Sequence, residues 1–172
     1  MRQAILFLLL PALYGPAQPP AEDAVERDLQ TLQGTWRLAR YEREGKVWDR
    51  EGIARDFKDK GGELRLRIEG DKIFLGDDPK PSRLRRDDRP RDLTFHLDPT
   101  VTPKRCDISI GSDWGFMSRG AAHWEAIYRF QGDRLEICLA HNPEARPTRF
   151  GADPKREWLW LLVYERVPAP AK

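Results

Sequence analysis

Few side chains in this sequence are spaced for catalysis. None of the three histidines, His96, His123 and His141, stands in a His-x-His or Glu-x-x-His spacing that would converge ligands on a metal. Cys138 and His141 come nearest to a pair, at a strand end beside a turn. A haem held by one of these histidines is a weaker reading of the same residues. The chain carries no Gly-x-Ser-x-Gly elbow, no glycine-rich phosphate loop and no legible Cys–His couple. Asp77-Asp78 and Asp87-Asp88 are adjacent acids in polar stretches, where carboxylates are solvated and not poised for acid–base work. The expectation is a protein that is not an enzyme and needs neither cofactor nor metal. What the sequence offers instead is aromatic surface. Trp114, Phe116, Trp124, Trp158 and Trp160 are the candidate ligand-contacting residues. They either line a pocket for an apolar molecule or fill a core, the commoner role for such rings.

These rings must be positioned by strands. Residues 35–43 follow Gly34 as a strand, and alternation places Trp36 and Leu38 on one face with Thr35, Arg37, Ala39 and Tyr41 on the other. Residues 63–69 and 72–75 alternate around Gly70-Asp71 and read as a hairpin. Residues 93–97 and 105–110 are short strands. Residues 123–130 and 134–140 form a second hairpin around Gln131-Gly132-Asp133. Residues 157–166 close the series, with Trp158, Trp160, Leu162 and Tyr164 on one face. Val25, Leu29 and Leu32 fall at i, i+4, i+7 after a capping Asp23, which predicts an amphipathic helix to about Gln33 that lids one end. Ile53 and Phe57 predict a further helical turn. Residues 76–92 are a long, polar, proline-broken connection.

About eight strands with hairpin-like joins and no strand–helix alternation argue against a parallel sheet and predict an all-β, up-and-down antiparallel barrel. Such a barrel is just wide enough to be filled by side chains or to hold one small ligand. Closure would bring the first strand to the last, with Trp36 across the floor and Arg166 or Arg149 on its ring.

Length and composition agree with one domain of 172 residues, 40% hydrophobic. Thirty basic residues against 28 acidic ones give a formal charge of +2, which excludes an electrostatic argument for nucleic acid. Met1-Arg2, an apolar run from Ala4 to Leu10 and small residues to Ala17 read as a signal peptide over 1–17. That run is too short to span a bilayer, which takes about 20 apolar residues. The product is expected in the secreted, periplasmic or cell-envelope space. Residues 18–26 are a proline-rich lead-in, 27–166 the barrel, and 167–172 a disordered tail. Two cysteines in a secreted chain invite a disulfide. In a simple meander, however, one strand separates Cys106 from Cys138, about 10 Å against a limit of about 7 Å. The alternatives are a bridge through another strand order and two buried thiols.

Several segments together carry a family resemblance: Leu32-Gln33-Gly34-Thr35-Trp36, Gly70-Asp71-Lys72, Leu97-Asp98-Pro99-Thr100 with Pro103-Lys104, Tyr128 through Gly132-Asp133 to Ala140, and Arg146-Pro147-Thr148 with Phe150. From about Arg27 to Glu165 the chain resembles a lipocalin-like domain of secreted planctomycete proteins. The resemblance implies a lipocalin-type barrel and names no ligand or catalytic residue. The connection 76–92 is more charged and proline-rich, and 111–123 more aromatic, than the resemblance leads one to expect. The reading is a secreted, non-enzymatic lipocalin-like barrel that binds a small hydrophobic or amphipathic molecule. The alternative is an envelope interaction or structural module with a filled barrel and an exposed apolar patch at 111–121.

Overall fold

The computed structural model describes residues 21–56, 64–75, 93–110, 122–140, 146–152, 155 and 159–168. Helix α1 spans Ala21–Leu32. Strands β1 (Gly34–Arg43) and β2 (Lys46–Trp48) follow, then helix α2 (Arg50–Asp56). The remaining strands are β3 (Arg65–Glu69), β4 (Lys72–Leu75), β5 (Leu93–Asp98), β6 (Lys104–Ile110), β7 (Ala122–Gln131), β8 (Arg134–Ala140) and β9 (Leu159–Arg166).

Every neighbouring pair is antiparallel, and β1 returns to β9, so β1 and β3–β9 close as an eight-stranded barrel. The closing register runs from Trp36↔Arg166 to Arg43↔Trp160. The far half of the other edge of β1 is taken by β2, an additional short strand that sequence patterning does not reveal. The β1–β2 turn, Glu44-Gly45, holds both residues at positive φ, 54° and 72°, the conformation of a tight two-residue hairpin. The remaining hairpins at Gly70-Asp71 and Gly132-Asp133 stand where the sequence places them.

Strand direction defines two ends. At the lower end lie the start of β1, the end of β9 and the turns β3–β4, β5–β6 and β7–β8. Helix α1 caps this end. Leu32 is buried in the core and Leu29 packs beside it, because the stripe of Val25, Leu29 and Leu32 faces the strands. The helix starts at Ala21, within the stretch that reads as a proline-rich lead-in. Asp49 caps α2, its Oδ1 accepting from the Gly52 amide at 2.9 Å, and α2 drives Ile53 into the core at 1% exposure. Phe57, the expected partner of Ile53, lies outside the described residues.

One expected parity is corrected. Leu38 faces Tyr164, yet Arg40 and not Ala39 faces Val163. This one-residue bulge inverts the alternation, so Tyr41 and Arg43 share the inner face with Trp36 and Leu38. Outside the barrel, Ile127, Cys138, Leu159, Leu161 and Val163 form a second apolar cluster covered by Phe150. Arg146 anchors this covering segment, donating to Ala126 O at 2.9 Å and pairing with Asp107 at 2.5 Å.

The cysteines are free. Cys106 faces inward opposite Ala126, whereas Cys138 pairs with Ile127 on the outer side of the wall. With β7 between them and their side chains on opposite faces, no disulfide can form.

Candidate functional site

The floor is built as the first and last strands require. The Trp36 ring is 1% exposed, and its Nε1 donates to Leu32 O at 2.7 Å. The Arg166 guanidinium lies 4.2 Å from the ring centroid and donates to Gln33 O at 2.8 Å and to Thr31 O. One arginine thus stacks on the indole and satisfies carbonyls at the C-terminal end of α1, where cations are favoured. Of the two arginines that the sequence offers as partners, Arg166 takes the place. Gly34 enters β1 at φ +108°, a conformation that side chains rarely adopt, and this is what calls for glycine beside Arg166.

A second polar group holds the lid, and sequence reading missed it. Asp28 is 6% exposed. Its Oδ2 accepts from Tyr128 Oη at 2.6 Å and from Lys104 Nζ at 2.7 Å. Burial, and then the hydrogen bond to Asp28, push the Tyr128 hydroxyl well above its ordinary range, so it remains a donor. The signal lies in the helix stripe: Asp28 is three residues after Val25 and four before Leu32, an acid on an apolar face.

Just above this floor the described inner side chains are packed. Leu32, Ile73, Phe95, Leu97, Tyr128 and Ile137 are among the residues around a cavity of about 20 Å³ with an apolar lining. That is close to the space of a single water, which an apolar wall does not hold, and far below the roughly 300 Å³ of a small-ligand pocket.

The upper end differs. Tyr41 and Trp48 stack with centroids 5.1 Å apart at 26°, and Trp160 meets Tyr41 edge-on at 6.1 Å and 87°. Arg43 lies over the Trp160 ring at 5.4 Å, and Trp48 Nε1 donates to Asp56 Oδ2 at 2.7 Å, tying β2 to α2. All three rings are half-buried. Burial raises the Tyr41 phenol above its usual range, opposed by the neighbouring Arg43 charge.

Of the sequence-derived ligand residues, Trp124 and Trp160 are half-buried and pack against the inner core. Trp124 faces Ile108, two residues beyond Ala126 toward the upper end. Trp114, Phe116 and Trp158 lie outside the described residues, as does the 111–121 patch. Tyr41, Trp48 and Arg43 join the candidate site, hidden in sequence by the bulge and by the shortness of β2. His96 and His123 are exposed, and His141 lies outside the described residues. Among the described residues no three His, Cys, Asp or Glu side chains gather as a metal site, and no helix is long and apolar enough to cross a membrane. Comparison of the chain with protein-family models, curated proteins and solved structures returns no match, so the geometry alone carries the functional argument.

Proposed function

We propose that this chain is a secreted, non-enzymatic lipocalin-like barrel that binds a small amphipathic molecule at its upper, aromatic end. The observation that carries the reading is the contrast between the two ends. The lower end is sealed by α1 and packed to a void of about 20 Å³. The upper end presents Tyr41, Trp48, Trp124 and Trp160 half-buried on the inner side of the wall. Half-buried rings supply apolar contact at small entropic cost. The resemblance to secreted lipocalin-like domains and the N-terminal apolar run support the placement outside the inner membrane.

Titration with a neutral fluorescent probe, N-phenyl-1-naphthylamine, tests this. Saturable binding is expected, and Trp160→Ala and Tyr41→Ala should each weaken it about tenfold, the scale of one lost aromatic contact with its buried area. Absence of saturable binding by the mature chain would overturn the reading. The same small cavity favours the second reading, an envelope interaction module whose barrel is filled. In that case the probe fails to bind and the protein is instead recovered with a partner from envelope extract.

A further inference from the structure

We propose that Arg43 makes the aromatic end selective for anionic amphiphiles, molecules with a carboxylate head and an apolar body. The inference rests on the preceding reading that this end binds a small amphipathic molecule, and it names the class. The bulge in β1 turns Arg43 inward, directly across from Trp160. Its guanidinium lies on the indole face, 5.4 Å from the centroid. A cation–π contact uses the flat face of a guanidinium and leaves its in-plane N–H fork for an anion.

A carboxylate already occupies part of that fork. Glu44 Oε1 stands 2.7 Å from Arg43 Nη2. Glu44 belongs to the tight β1–β2 turn, and its side chain is 35% exposed, so it can swing into water without unfolding anything. It shows the geometry by which a carboxylate meets this arginine, and it is a built-in competitor. A ligand carboxylate replaces Glu44 on Arg43, and the apolar body lies against the Tyr41, Trp48 and Trp160 rings. Tyr41, two residues before Arg43 on the same inner face, packs edge-on against the Trp160 ring that Arg43 covers. The binding determinant is thus one charged fork beside an aromatic surface, with an intramolecular carboxylate setting the affinity.

Displacement of N-phenyl-1-naphthylamine by dodecanoate and by dodecanol separates head group from tail. In the wild-type protein dodecanoate should bind more tightly than dodecanol. Arg43→Gln should reduce the dodecanoate-to-dodecanol affinity ratio about tenfold, the value of one charge-assisted hydrogen bond at a half-exposed site. Glu44→Gln, which removes the competitor, should raise that ratio about threefold. Arg43→Lys should retain part of the preference, and so separates lost charge from lost packing over Trp160. Equal binding of both compounds, unaltered in all three variants, would overturn the selectivity and leave the binding site standing. Failure of the probe itself to bind would remove the site and this inference together.

Discussion

Removing the Asp28 carboxylate should cost the fold far more than its place on a surface helix suggests. Both of its hydrogen bonds end on one oxygen, Oδ2, at 2.6 Å from Tyr128 and 2.7 Å from Lys104. The two donors differ in what they lose. The Tyr128 side chain is 2% exposed, so in Asp28→Ala its hydroxyl is stranded, a cost of about 1–3 kcal/mol. The Lys104 side chain is 39% exposed and can turn to water, so its share is at most about 1 kcal/mol. The expected loss is about 1–4 kcal/mol, or about 2–16 °C in Tm for a domain of this size. Asp28→Asn can place its amide oxygen where Oδ2 stands and should lose only about 1 kcal/mol. Tyr128→Phe removes the stranded group, so adding it to Asp28→Ala should cost less than the two single changes summed, with a coupling of about 1–2 kcal/mol. Urea denaturation followed by tryptophan fluorescence measures all four proteins. A loss below about 0.5 kcal/mol in Asp28→Ala, or strict additivity in the double variant, would refute the argument that this buried oxygen holds the lid.

Alkali should destabilise the fold through its buried acids. The Cys106 thiol ordinarily ionises near 9, and burial, with a smaller push from Asp107, moves it up to about 12. Between those values the unfolded chain releases a proton that the folded chain keeps. Stability is therefore complete below about pH 9 and falls by about 1.4 kcal/mol per pH unit from this group. Tyr128 and Tyr164, both raised by burial, act with the same sign once pH passes 10. Urea midpoints between pH 8 and 11 should fall, and Cys106→Ala should flatten the first part of that slope. Gly34→Ala should cost about 1–3 kcal/mol, because φ +108° is strained for any side chain, and a wild-type melting curve would contradict it. Both thiols should resist an aromatic disulfide reagent in the native protein and react together on denaturation, with no mobility shift on a non-reducing gel.

The legible and the hidden parts of this molecule divide by how local their causes are. The floor could be read because closure is a global rule that needs only the two chain ends: a Gly-x-Trp at the first strand and an arginine at the last must meet if the sheet rolls up. The Gly70 and Gly132 hairpins could be read because the turn residue fixes a register over its own neighbours. Tyr41 could not, since one inserted residue at Ala39-Arg40 reverses every later side chain and leaves no composition signal. Nor could the Asp28 group, whose partners lie 76 and 100 residues away. Its acid on the helix stripe is a clue only to burial and does not name the donors.

Hardest to read was the volume inside. Alternation tells which side chains point inward, but the space left between them depends on strand tilt, stagger and whatever caps the ends. Here Leu32, from a helix outside the barrel wall, helps to close the described interior beside α1 to a void too small for a ligand. For the five aromatic residues singled out in the sequence, core filling is the commoner expectation and pocket lining the other. Trp124 and Trp160, the two that are described, are half-buried against the inner core toward the upper end. The bulge that defeats strand parity is also what turns Tyr41 and Arg43 toward Trp160. A regular β1 would point them outward and turn Arg40 and Glu42 inward in their place, so the irregularity in the wall and the proposed chemistry at the rim have one structural cause.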